Sequence, residues 1–332
     1  MNSEPERTVG CDAVNEHVSR PIPETLWHYT SFAGFQGIVT SKTIWATEYR
    51  FLNDREEFLH AKRLADRLVD EEPEFVGYQF PVRDILRKAV GAAFNTGYLH
   101  EERLRVMVVS FTEEGDQLSQ WRGYANNSRG VSIGLDVRHL RPPLLVGTAV
   151  TLAPCLYPEE DKRRVLKAIF AHHRKGLERW WNLIVDVARE ETGKVGGMDP
   201  NLGRRLVAEH QPELNTAVAQ ADASLRFDLL RTALLLKNES FREEREWRLV
   251  LPLEPIRLPS HHRLQFRYVA DNLVPYIAYP LRSPNQDGPI PCKGVVVGPG
   301  SHPSARVGVN LFLHSEGIML LALESKIPYR PT

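Results

Sequence analysis

The chain has 332 residues, 42% of them hydrophobic and 25% charged, which predicts a soluble globular protein with a substantial core in one large domain or two smaller ones. Its 42 basic and 42 acidic residues cancel, so composition gives no support to wholesale attraction to nucleic acid or anionic membrane. Cys11, Cys155 and Cys292 lie far apart, fit neither a disulfide scaffold nor a zinc ribbon, and point to a reducing cytoplasm. No leader pattern opens the chain, and no apolar run approaches the ~20 residues that span a bilayer. A cytoplasmic location and no membrane partner are therefore expected.

Residues 1–23 are polar, end in a rigid PIP step, and are expected to form a flexible arm. The remainder, 24–332, is expected to be a single α/β (α+β) domain built on a mixed central sheet. Order opens with LWHYT. SFAGFQGIVTS has helical spacing, TIWAT reads as a strand, and DREEFLHAKRLADRLVDEE and RDILRKAVGAAF read as amphipathic helices. RVMVVSFTEE is a strand apolar enough to be buried on both faces, followed by strands GVSIGLD and VTLAPCLY. From Pro158 to about Leu236 the pattern is helical nearly throughout, which predicts a helical insertion, 158–236, between two parts of the sheet. Strands resume with EWRLVLPL, QFRYVA, LVPYIAYPL, KGVVVGP and GIMLLALES, with a helix from near Pro303 to Gly317 before the last.

The densest chemistry lies in SFREEREWRLVL, Ser240 to Leu251. If this segment is a strand, Glu244, Glu246 and Arg248 share one face, and two carboxylates side by side need a cation or a site. Arg248 is the expected partner that keeps Glu246 ionised. His28 lies in Trp27-His28-Tyr29-Thr30; an imidazole both donates and accepts, which suits a ribose diol, while Thr30 reads as the N-cap of the following helix. Asn53 and Asp54 read first as a helix cap, with substrate orientation as a second role. Trp121, Arg122 and Tyr124 fall in a turn-rich approach to a strand, where an aromatic face can stack on a nucleobase or nicotinamide. GPGSHPSARVG reads as a structural turn, and no His, Cys or carboxylate spacing suggests a metal.

Three segments taken together carry a resemblance: LWHYTSFAGFQGIVTSKTIWATEYRFLNDREE, VSFTEEGDQLSQWRGYANNSRGVSIGLD and KNESFREEREWRLV, with GVVVGP and SKIPYR closing the chain. They resemble the bacterial family catalogued as domain of unknown function 2971, over roughly residues 26–330. The order of a strand-borne His, an aromatic middle segment and a late Glu is, more loosely, similar to the ADP-ribosyltransferase fold. That resemblance implies NAD as substrate, no metal, and a transferase or NAD glycohydrolase activity. It implies that His28, with Tyr29 and Thr30, holds the ribose, that Tyr124 or Trp121 stacks on nicotinamide, and that Glu246 or Glu244 stabilises an oxocarbenium-like transition state. Asn53, Asp54 and Arg248 are supporting residues in this reading. The acceptor is a protein, a nucleic acid, a small molecule or water, and a stress or phage-defence setting is expected. Two alternatives stand beside it: a non-enzymatic nucleotide- or partner-binding accessory module acting through 158–236, and an RNA-processing enzyme that uses Arg122 and Arg129 on phosphate.

Overall fold

A computed structural model describes residues 21–52, 55–71, 82–94, 105–140, 150–175, 224–253, 264–269, 271–281 and 288–328. Most of the expected arm, along with Asn53 and Asp54, lies outside them. The strands are β1 (Thr25–Ser31), β2 (Thr43–Glu48), β3 (Arg105–Thr112), β4 (Gly130–Asp136), β5 (Thr151–Pro154), β6 (Glu246–Leu253), β7 (Gln265–Val269), β8 (Asn272–Pro280), β9 (Cys292–Val297) and β10 (Leu323–Glu324). They form one mixed, largely antiparallel sheet; among the described strands only the β9–β10 pair is parallel.

β3 is the hub of this sheet. β6 pairs with it along its whole length, Arg105↔Leu253 through Thr112↔Glu246, and so takes one edge. The other edge is divided: β1 meets it at Thr112, through Trp27, and β2 meets it at Met107 and Val108. Between those two contacts β1 and β2 part. Six of the eight β3 residues are buried, as expected for a strand covered on both faces. The larger core lies on the face of Leu26, Phe111, Ile133, Trp247 and Ile277. A smaller cluster of Tyr29, Trp121, Ala125 and Val296 lies on the other.

The helices are α1 (Phe32–Ser41), α2 (Arg55–Glu71), α3 (Val82–Phe94), α4 (Leu118–Tyr124), α5 over 159–175, α6 over 224–233, and α7 (Ala305–Ser315). The described residues divide into two compact units: one draws on 56–98 and 158–236, the other on 18–55, 99–157 and 237–332. The described parts of the expected insertion, α5 and α6, are helical. In the first unit Phe58 and Phe94 have ring centroids 5.1 Å apart, and the buried Asp228 meets His173 at 2.9 Å and Arg231 at 3.0 Å.

Local readings need three corrections. The cap of α1 is Ser31, whose Oγ accepts from the Gly34 amide at 3.1 Å, because Thr30 still belongs to β1. Trp121 and Tyr124 sit on a short helix rather than a loop, since α4 forms before the left-handed run Asn126, Asn127 and Ser128 reverses the chain. GIMLLALES pairs only at Leu323–Glu324; the Ala322 amide is drawn off to the Asn310 side chain of α7.

Candidate active site

Lys237 follows α6, and Asn238 then starts a 3₁₀ turn, Glu239–Glu244, by accepting the Ser240 amide on its side chain at 3.0 Å. Arg245 closes the turn at φ 42°, a left-handed conformation, and β6 begins at Glu246. Glu244 therefore does not share a strand with Glu246, as the alternation of the segment predicts; the left-handed step intervenes. Their carboxylates nevertheless meet, since Lys237 Nζ donates to Glu244 Oε2 at 2.7 Å and to Glu246 Oε2 at 2.6 Å. Arg248 completes the group with Nε to Glu246 Oε1 at 2.8 Å and Nη2 to Oε2 at 3.0 Å. Two anions and two cations thus balance. All four residues are buried, with Lys237 1% and Glu246 6% exposed.

The backbone holds this group from two sides. Thr112 Oγ1 donates to the Glu244 carbonyl at 2.7 Å, and the Glu246 amide donates to Tyr157 Oη at 2.8 Å. Burial pushes the Glu246 carboxyl up, but the adjoining Arg248 and Lys237 charges outweigh it and hold its pKa at about 2. Glu246 is therefore ionised throughout the physiological range. An ionised carboxylate offers about four acceptor positions. Three on Glu246 are occupied by the contacts above, and one on Oε1 remains. Glu244 uses Oε2 for Lys237.

A second set adjoins through Gln117, whose Nε2 donates to the Glu243 carbonyl and whose amide donates to Tyr29 Oη. Tyr29 Oη donates in turn to the Glu114 carbonyl, and its ring meets Trp121 edge to face at 4.6 Å. Trp121 is fully buried and donates from Nε1 to Asp116 at 2.7 Å. Tyr29 and Trp121 thus pack on each other rather than present a stacking face, whereas Tyr124, at the end of α4, is 40% exposed.

His28 occupies a different position. Trp27, Thr112 and Glu246 form one cross-strand row, and His28 is the next residue, so its side chain leaves that row. Its Nδ1 donates to the Ser110 carbonyl at 3.0 Å, on the β3 edge where β1 and β2 part, and its ring meets the edge of Phe111. Burial lowers the His28 pKa, the Ser110 bond opposes this, and the Arg267 charge adds to the lowering. The imidazole is neutral near pH 7. Structure thus joins Glu244, Glu246 and Arg248 directly, links Tyr29 and Trp121 to them through Gln117, and sets His28 apart. Sequence reasoning missed Lys237, whose signal was a single cation ending the apolar run LLLK.

Residues 120–249 match the model of a family described as "Protein of unknown function (DUF2971)". Over this segment the chain is similar to that family. The DUF2971 match takes in Trp121, Tyr124, Lys237, Glu244, Glu246 and Arg248 and leaves β1, with His28, outside. No curated protein and no solved structure matches the chain. Among the described residues, no three His, Cys, Asp or Glu side chains gather to hold a metal ion, and no helix is long and apolar enough to cross a membrane.

Proposed function

We propose that this protein is an NAD-consuming enzyme of the ADP-ribosyltransferase type, with Glu246 as the carboxylate that opposes charge on the ribose. In that reaction the C1′–nicotinamide bond breaks and its electron pair leaves on neutral nicotinamide. Positive charge develops on the ribose until an oxygen or nitrogen of the acceptor adds at C1′ and releases its proton. A carboxylate fixed near that charge lowers the barrier because it needs no reorganisation. The observation that carries this reading is Glu246: an ionised, buried carboxylate at the start of a strand, clamped by two cations, with one acceptor position not used by the described residues. Glu244, 8% exposed and tied to the same lysine, is the neighbouring candidate. Tyr124, 40% exposed at the end of α4, would supply the stacking ring, while His28, which leaves the Glu246 row, is not assigned to the same ribose. A macromolecular acceptor and a cytoplasmic setting belong to the same proposal.

The test is incubation with NAD labelled on the adenylate, alone and with cell lysate, following free nicotinamide and what carries the label. Glu246→Gln should lower turnover by about 10²–10³, the usual loss when one preorganised electrostatic contact is removed. Glu244→Gln should retain most activity, and His28→Ala, away from the Glu246 row, should change KM and kcat little. A parent protein that binds no NAD by calorimetry and releases no nicotinamide ends this proposal. A second reading, a non-enzymatic nucleotide-binding module, is favoured by the same glutamate, since three of its four acceptor positions are already filled from within the protein. Binding without nicotinamide release would select it.

A further inference from the structure

Outside the glutamate cluster, the sheet face formed by β2, β7 and β8 gathers a different set of groups. Register places Thr47 opposite Tyr276 and Trp45 opposite Ala278, and on the neighbouring strand pair Gln265 lies opposite Tyr276 and Arg267 opposite Val274. Trp45, Thr47, Arg267 and Tyr276 therefore project from one face. The Arg267 guanidinium lies 5.2 Å from the Trp45 ring centroid and 5.8 Å from that of Tyr276, and the two rings are 4.6 Å apart. Its Nη2 donates to Thr47 Oγ1 at 2.9 Å, while its Nε is buried with no acceptor.

Two properties set this cluster apart from an ordinary capped arginine. Half-buried arginines normally sit against a carboxylate, because removing a cation from water is costly unless it is paired. Among the described residues Arg267 has no carboxylate partner; its contacts are the Thr47 hydroxyl and the Trp45 and Tyr276 rings. A single cation with an orphaned donor thus sits among aromatic walls. Trp45 packs on the Tyr276 ring and the Arg267 guanidinium and still remains 46% exposed. A planar cation with an unused donor suits a phosphate, and an open indole beside it suits a base.

We infer that the β2–β7–β8 face binds a nucleoside phosphate, with Arg267 holding the phosphate and Trp45 stacking on the base. This rests on the reading of the chain as a nucleotide binder but not on the chemistry assigned to Glu246.

Calorimetry on the full chain with ADP, AMP, adenosine and inorganic phosphate tests it. ADP should bind more tightly than AMP, and AMP more tightly than adenosine. Arg267→Met should weaken ADP about tenfold or more and leave adenosine unchanged. Trp45→Leu should weaken ADP and adenosine alike, by about tenfold. Arg267→Lys keeps the charge but loses the planar fork, and should fall between parent and Arg267→Met. Thermal melts identify any variant that fails to fold, in which case Arg267→Lys alone decides. An Arg267→Met protein that folds and binds ADP as tightly as the parent overturns the inference, as does a parent that binds no ADP at millimolar concentration. NAD turnover that persists with no role for Arg267 in ADP binding removes this inference and leaves the transferase proposal standing. Arg267-dependent ADP binding without nicotinamide release does the reverse.

Discussion

The two charged clusters on the sheet differ in one respect that outweighs their similarities. Lys237, Glu244, Glu246 and Arg248 are buried and neutralise one another, with distances of 2.6–3.0 Å. Arg267 is half-buried among aromatic rings with no acid beside it among the described residues. A compensated cluster spends its interactions within the fold, and removing a member is felt as lost stability. An uncompensated cluster keeps an interaction in reserve, and removing its charge is felt mainly in what the protein can bind. The two sites should therefore answer opposite assays.

The largest effect is expected at Lys237. Lys237→Met leaves two buried carboxylates facing Arg248 alone and should cost about 3–5 kcal/mol in denaturant unfolding. A loss below about 1 kcal/mol would show that the cluster is hydrated and the contrast unfounded. Acid should act next. The Glu246 pKa of about 2 lies below its ordinary 4.5, so its stabilisation is complete above pH 4.5 and lost as pH falls from 4.5 towards 2. The shift corresponds to something on the order of 3 kcal/mol, and Glu246→Gln should lack that part of the acid transition. Arg267→Met should by contrast change unfolding free energy by only about 1 kcal/mol or less. It should also let His28 protonate at higher pH, read from the ring-proton shifts on titration, because the Arg267 charge is one of the causes that lower its pKa. The smallest effect belongs to Arg245→Ala. Its 2.6 Å pair with Glu114 is about half exposed, and exposed pairs contribute about 0–1 kcal/mol. Equal losses at Lys237 and Arg245 would mean that burial does not separate the clusters.

Where periodicity was strong, the sequence was a reliable guide. The apolar run of β3, the spacing of α1 and the alternation of β6 all become the elements they suggest, because each buries a face that its pattern marks out. The paired glutamates and Arg248 were legible for the same reason: alternating charges entering an apolar strand have to be compensated. What escaped was non-local or conformational. Lys237 is nine residues from Glu246 and reaches it only because a 3₁₀ turn and a left-handed Arg245 fold the chain back. The helix carrying Trp121 is seven residues long, too short for a periodic signal. Arg267 has no distinguishing neighbours in sequence; its aromatic walls come from β2 and β8 through register.

The divided edge of β3 also bears on how the chain reaches this structure. The strand finds partners on one side early, in β1 and β2, but Thr112 meets Glu246 only across 134 residues of chain. During synthesis, a ribosome must therefore complete the whole of 158–236 before the apolar strand Arg105–Thr112 can be covered along its second edge. Closing so long a loop adds entropy cost slowly with length, but contacts of this sequence separation slow folding and leave a pairing edge open meanwhile. A nascent chain ending at residue 157 is thus expected to be the form most in need of a chaperone.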